Sequence, residues 1–305
     1  MRIESVISIA LALVLAPLFL GIINRTKAVF AGRTGQPLLQ MYWDLAKLLR
    51  KGAVYSRTTT WVFRAGPMIG LAAMLAVLPI LPLAGTPALV SFPGDLVLFA
   101  YLLGLARFFT VAAALDTGSA FEGMGASREV QFAAMAEPAL LLGLAALATQ
   151  AGSLSLSGIF AGSVMPAAAW LQVRPIALLV GAAFLIVFLA ENARIPVDDP
   201  NTHLELTMIH EVMVLDHSGP DFAFIQYGSA LKHWVIGTLV VGSVMPLHSA
   251  DALWGVPVAV AAMFALAVVV GVIESIMARL RLASVPHLLV GAVALSVVAL
   301  VLVIE

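Results

Sequence analysis

Long apolar runs separated by shorter polar stretches set the pattern of this chain. A membrane-crossing helix needs roughly 20 mostly apolar residues. Eight segments reach or approach that length: 4–23, 65–84, 95–115, 132–151, 174–190, 232–248, 254–273 and 287–304. Residues 157–171 are also apolar but carry Gly158, Gly162 and Pro166. That composition favours a surface or re-entrant helix there over a ninth span. The first run, Val6–Ile23, reads as a retained span rather than a signal peptide, because Asn24-Arg25-Thr26-Lys27 follows at once without a small-residue cleavage site. The fold class expected is an all-α integral membrane protein: one polytopic domain over 1–305, with about eight transmembrane helices.

In an eight-span topology the segments 24–64, 116–131, 191–232 and 274–286 share one side. All Lys and Arg lie there except Arg2, Arg107 and Arg174, which is 13 of the 16. The positive-inside rule makes that side cytoplasmic and puts both termini outside. The acids gather there too, on that side or just inside a span from it, all but Glu4, Asp95, Asp251 and Glu305. Acids have little weight in orientation, so a surface that docks a partner or feeds protons is the better reading.

Composition narrows the chemistry. Of 305 residues, 62% are hydrophobic and 11% charged, against about 25% charged in soluble domains. A net charge of −1 gives no reason to expect nucleic acid as a partner. The absence of Cys excludes disulfides, thiolate chemistry and cysteine-ligated iron–sulfur clusters in this chain. No internal repeat is visible, which argues against an inverted-repeat transporter.

Candidate chemistry sits in the polar segments. After Gly32-Arg33-Thr34-Gly35-Gln36-Pro37, the residues Gln40, Asp44, Lys47 and Lys51 follow a helical period beside Met41, Leu45 and Leu48. This predicts an amphipathic helix lying on the membrane or against a partner. Arg33, Asp44 and Lys47 are its docking candidates, a solvated basic face being the plainer alternative. The second segment carries Asp116, Glu122, Arg128 and Glu129, with Ser127 expected as the N-cap of the next helix and Glu129 complementing the helix end. Arg128 and Glu129 join the docking set. Glu137 falls about two turns inside the following span, before Pro138, and Arg107 falls inside the third span. Ionisable residues at that depth are functional candidates by default, although Arg107 in a structural ion pair is an equal reading.

The third polar segment is the richest, from Glu191-Asn192-Ala193-Arg194-Ile195-Pro196-Val197-Asp198-Asp199-Pro200 to His210-Glu211. Glu191 and Arg194 are spaced to pair if the span continues. From Thr202 the pattern turns helical, which would let Glu191, Glu205 and Glu211 converge on one polar chamber suited to holding and releasing protons. Asp221 is expected to be exposed and uninvolved. His203, His210 and His217 lack the spacing of a metal site, no nucleophile elbow exists, and no catalytic residue is assigned.

These segments resemble the subunit 1 family of respiratory complex I, and more closely the membrane-anchor subunits of group 4 [NiFe] hydrogenases of the formate hydrogenlyase subunit 4 type. Four ordered stretches carry the resemblance: Gly32–Pro37 with Tyr42–Leu48; Ala106–Phe109, Leu115–Ser119 and Gly125–Glu129 with Glu137-Pro138; Glu191–Asp198 with His217-Ser218-Gly219; and Met277–Arg281. The resemblance implies a non-catalytic anchor and coupling subunit of an ion-translocating oxidoreductase complex, in a bacterial or archaeal cytoplasmic membrane. Iron–sulfur and hydrogenase-like (or quinone-reductase-like) subunits would form a peripheral arm holding the iron–sulfur clusters and a NiFe centre. Antiporter-like subunits and lipid would surround this chain. By the same resemblance Glu137, Glu191, Arg194, Asp198 and Glu205 carry the coupling; Asp199, Glu211, Arg107, Asp116 and Glu122 complete the candidate set on their placement. Val197, Asp199, Asn201 and His203 depart from the complex I pattern and point away from quinone binding. A quinone-chamber subunit and a stand-alone ion transporter are the alternatives.

Overall fold

The computed structural model describes residues 3–83, 85–160, 167–199, 208–245 and 252–305, without the side chains of 167–174 and 252–254. Ten helices lie in these residues: α1 (Ile3–Phe30), α2 (Gln40–Leu49), α3 (Trp61–Val77), α4 (Asp95–Asp116), α5 (Ala120–Ala151), α6 (Leu156–Phe160), α7 (Ala167–Glu191), α8 (Gly219–Val244), α9 (Ala252–Ile276) and α10 (Val285–Ile304). Apart from α2 and α6, each contains or closely overlaps one expected span. The chain is an all-α membrane protein. Six helices (α1, α3 with the turn after it, α4, α5, α9 and α10) are long and apolar enough to cross a membrane on those grounds alone.

Of the two remaining long helices, α7 and α8, the second is the more instructive. Helix α8 carries Gln226, Lys232, His233, Thr238 and Ser243, yet it forms the centre of the bundle, with Leu231, Val235, Ile236 and Leu239 fully buried. It packs on α1, α2, α3, α7 and α9. Polar side chains at membrane depth face inward, so the less apolar helix takes the middle. The very apolar α10 sits at the rim against α5 and α7.

The expected polar segments do meet at one end. Asp116 at the end of α4 accepts from Thr60 N (2.6 Å) and Phe63 N (3.2 Å), capping α3. Val54 N donates to Ser218 Oγ (3.0 Å), Asp216 N to Glu122 Oε1 (3.2 Å), and Leu280 N to Pro196 O (2.9 Å). At the opposite end Asp95, wholly buried, accepts from Leu156 N and Ser155 Oγ, both at 2.7 Å. The five-residue α6 stands where the surface or re-entrant helix is expected, and 161–166 lie outside the described residues.

Two local expectations are corrected. Ser127 is no cap. Gly118 (φ +70°) and extended Ser119 break the chain after α4, and α5 starts at Ala120. Gly125 stays helical because its missing side chain lets Val212 and the Ile209 carbonyl approach; a Cβ there would lie 2.3 Å from Val212 Cγ1. Asp221 is buried in the first turn of α8 instead of exposed, where a carboxylate suits the positive end of the helix.

Pro17 shows how the bundle repairs its own helices. A proline inside a helix leaves the carbonyl four residues earlier without its donor. That carbonyl, Leu13 O, accepts from Tyr227 Oη of α8 at 2.8 Å. Tyr42 of α2 donates to the next carbonyl, Val14 O.

Candidate functional site

Helices α1, α2, α3, α4, α5, α7 and α8, with the segment after α7, line a partly open cavity of about 830 Å3 at the polar end of the bundle. Its walls include Met41, Leu71, Met74 and Leu103; its polar face carries Arg107, Glu129, Glu191, Arg194, His210, Glu211 and Lys232. The cavity is therefore apolar on one side and strongly charged on the other.

The charged side is a connected network. Arg107 Nε lies 3.3 Å from Glu129 Oε1, Arg107 Nη2 lies 2.5 Å from Glu191 Oε1, and Nη1 pairs with Glu137. Glu129 and Glu137 are eight residues apart on α5, about 12 Å along its axis, so one guanidinium joins two levels of the helix. Glu191 has a second cation, Lys232 Nζ of α8, at 2.8 Å. His210 Nε2 stands 3.0 Å from Glu129 Oε2 and its Nδ1 3.9 Å from Asp198 Oδ2. Asp198 in turn pairs with Arg279 at 2.8 Å and accepts from Ile209 N at 3.1 Å. Burial alone would lower the His210 pKa, but the Glu129 charge and the contact with Asp198 raise it to about 9. Burial would raise Asp198; His210 and Arg279 outweigh it and hold the carboxylate below its usual range. With His210 charged, three cations (Arg107, Lys232, His210) face three carboxylates (Glu129, Glu137, Glu191), the balance that buried ions require.

A second cluster adjoins it. Glu274 of α9, its side chain fully buried, pairs with Lys27 of α1 (2.7 Å) and Arg194 (3.4 Å). Arg194 Nε donates to His233 Nε2 (2.9 Å), while His233 Nδ1 lies 2.8 Å from Ser229 O. Those contacts fix His233 as the tautomer carrying its proton on Nδ1. His217, also on the cavity, stacks on Phe63 with ring centroids 3.9 Å apart and planes 6° off parallel. Burial pulls its pKa down to about 4.

Several expected placements change. Glu191 and Arg194 do not pair: α7 ends at Glu191, Ala193 takes φ +52°, and Arg194 N returns to Leu189 O (2.9 Å), which turns its side chain to the Glu274 cluster. Glu137 lies 17 residues into α5 (137 − 120) rather than two turns into a helix, because α5 begins so early. Glu129, expected on a docking face, is buried in the network, and Arg128 binds the Met208 carbonyl (2.8 Å). Asp116 serves as a helix cap and Glu122 is buried beside Asp216 N. Glu211 lines the cavity from a short 3-10 turn, Glu211–Val214, in place of the expected α-helix. Asp199 stands beside the site, close enough to interact with Arg194. Asp44 also lines the cavity, whereas Arg33 and Lys47 are exposed. Glu205 lies outside the described residues. Among the described residues no cluster of His, Asp and Glu is arranged to hold a metal ion.

Six further members, Lys232, His210, Glu274, Lys27, His233 and Arg279, are not among the expected site residues. Lys232 and Glu274 fall in the expected polar segments, and only the extents of α8 and α9 put them inside long helices. For His210, likewise, only the fold puts carboxylates on both sides of its ring.

A polytopic helical protein with a charged, cavity-lining network inside the bundle is the class these features define. The chain belongs to the NADH dehydrogenase family, whose model matches residues 3–304. Formate hydrogenlyase subunit 4 of Escherichia coli is 33% identical over 281 residues, covering 90% of this chain and 89% of that protein. Hydrogenase-4 component C of the same organism is 34% identical, covering 79% and 74%. An NADH-quinone oxidoreductase subunit of Anaplasma phagocytophilum is 28% identical, covering 67% and 62%. A chain in the structure of the membrane-bound sulfane sulfur reductase, an archaeal respiratory membrane complex, superposes with a TM-score of 0.82 at 20% identity over 98% of both chains, which establishes a shared fold.

Proposed function

We propose that this chain is the non-catalytic membrane-anchor and coupling subunit of an ion-translocating redox complex of the membrane-bound hydrogenase type. The observation that carries the reading is the Arg107 network: a balanced set of buried ion pairs joins a cavity at the polar end to Glu137 within α5. Burying that many charges is costly, and a fold with no use for them would do better with apolar packing. Changing the charge or the proton count at the cavity shifts the balance that every member feels.

Two surfaces suit partners. At the polar end, Trp43 and Lys47 are exposed one turn apart on α2, and Arg33, Arg50, Val54 and Trp61 are exposed in the segments that flank it, apolar and basic groups that suit a peripheral redox arm. Within the bilayer, Glu137 is half exposed and lies 14 residues before the end of α5 (151 − 137), about 21 Å. A carboxylate facing lipid at that depth is costly, so a neighbouring membrane subunit fits there. The polar end is assigned to the cytoplasm, with both termini opposite. Metal and cluster redox centres belong to the partners.

The cavity volume lies in the range of small-molecule sites, about 300–1,000 Å3, and favours one second reading, a quinone chamber. Gentle solubilisation through a tag on this chain, followed by mass spectrometry, tests the first. Iron–sulfur and hydrogenase-like subunits in the eluate are the expected result; the chain emerging alone would overturn it. Electron flow sensitive to quinone-site inhibitors would favour the second.

A further inference from the structure

Resting on the coupling role just proposed, we infer that His210 is the proton-relay residue through which protons pass between the Asp198–Arg279 pair and the intramembrane Arg107 network. The ring lies on the cavity wall, with its two nitrogens addressed to different carboxylates on different elements: Nε2 to Glu129 of α5 at 3.0 Å, and Nδ1 toward Asp198 of the post-α7 segment at 3.9 Å. Asp198 is fixed in place by the amides of Ile209 (3.1 Å) and His210 (3.4 Å) and by Arg279 (2.8 Å). The acceptor is thus built into the same short segment that carries the ring. The ring stands against Glu129 as an ion pair and neither nitrogen is yet hydrogen-bonded, so a reorientation of the ring is what completes the bonds to Glu129 and Asp198.

The step balances without an oxidant or reductant. The imidazolium releases its Nε2 proton to a Glu129 oxygen, leaving a neutral ring protonated on Nδ1; the ring then flips, and a proton arriving on the Asp198 carboxyl passes to the bare Nε2 now facing it. One N–H bond breaks as another forms, so each cycle moves one proton inward. Neutralising Glu129 leaves the Arg107 charge to Glu191 and Glu137, so the arrival of the proton is felt along the network. The groups facing the ring are Arg107 on α4, Glu129 on α5, Glu191 on α7, Asp198 and Glu211 on the segment itself, Lys232 and His233 on α8, and Arg279 after α9. The imidazolium is favoured at neutral pH because Glu129 and Asp198 outweigh burial and the Lys232 charge, so the relay starts loaded.

The intact complex, isolated through a tag on this chain and placed in liposomes with a pH-sensitive dye, tests the relay. Electron transfer and proton movement are read in the same sample for H210Q, H210K and E191Q. Both His210 variants should assemble, transfer electrons and lose proton movement by about a hundredfold, the scale of a missing acid–base group. Full proton movement in H210K would overturn the relay, because Lys keeps the charge and lacks the second nitrogen. Full movement in H210Q would do so as well. E191Q uncoupled with H210Q coupled sinks this inference alone; E191Q fully coupled sinks the parent reading with it. If the His210 variants fail to assemble, isotope-edited infrared titration of D198N against wild type decides. A His ring that loses its proton at lower pH in D198N supports the relay, and an unchanged ring contradicts it.

Discussion

Arg107 on α4 and Glu191 at the last turn of α7 meet at 2.5 Å inside the bundle, 84 residues apart in sequence. The contact makes the guanidinium the hub of the network, because the same side chain reaches Glu129 and Glu137. Replacing Arg107 by Met should destabilise the protein by about 3–5 kcal/mol, the cost of leaving a buried charge partner uncompensated. Thermal unfolding in detergent measures it. Replacing the half-exposed Glu137 by Gln should cost far less, and equal losses for the two would argue against Arg107 as the hub.

Asp116 gives a contrasting case. It caps α3 through Thr60 N and Phe63 N, so Asp116→Ala should lower stability by about 1–2 kcal/mol. Ion movement per electron should stay at the wild-type level in the assembled complex. Uncoupling without a change in melting temperature would return Asp116 to the chemistry.

The two cavity imidazoles predict how stability follows pH. His217 has a folded pKa of about 4, below its ordinary 6.5, so its contribution is complete above pH 6.5 and is lost as pH falls toward 4. The full loss is about 3 kcal/mol. His210 is raised to about 9, so its contribution is complete below pH 6.5 and fades as pH rises through 9. These two groups alone place the optimum near pH 6.5. His217→Gln should flatten the acid limb of a melting-temperature profile and leave the alkaline limb unchanged.

Tyr227 should matter because of Pro17. Tyr227→Phe removes the donor to Leu13 O, at a cost of about 1–2 kcal/mol for an orphaned buried carbonyl. In a Pro17→Ala background the helix supplies its own amide to that carbonyl, and the same change should cost less. Equal costs in both backgrounds would show that the tyrosine does not repair the proline.

Which parts of this were legible in the sequence follows from where the physics is local. Span positions depend on runs of apolar residues, and every long helix overlaps one, although α8 starts at Gly219, 13 residues (232 − 219) before the expected span and within the expected polar segment. The gathering of the polar segments at one end follows from alternation of direction along the chain, and Thr60–Asp116 and Leu280–Pro196 hold it together. The α2 helix follows from its period. Helix ends are less legible: Ser127 resembles a cap because Gly123 and Gly125 resemble a loop, and the close approach of Val212 and Ile209 accounts for the glycine at 125 alone. Pairing partners were the least legible. Glu191 and Arg194 are neighbours in sequence, yet a single residue at positive φ sends them to different clusters. The partners they take, Arg107, Lys232 and Glu274, come from three other helices.

The most direct measurement of the central claim is ion movement per electron transferred in the assembled complex carrying Glu191→Gln. Gln keeps the shape and removes the titrating, charged group that holds Arg107 and Lys232 together. The account predicts that the complex assembles and transfers electrons while ion movement collapses. Ion movement at the wild-type ratio would contradict it.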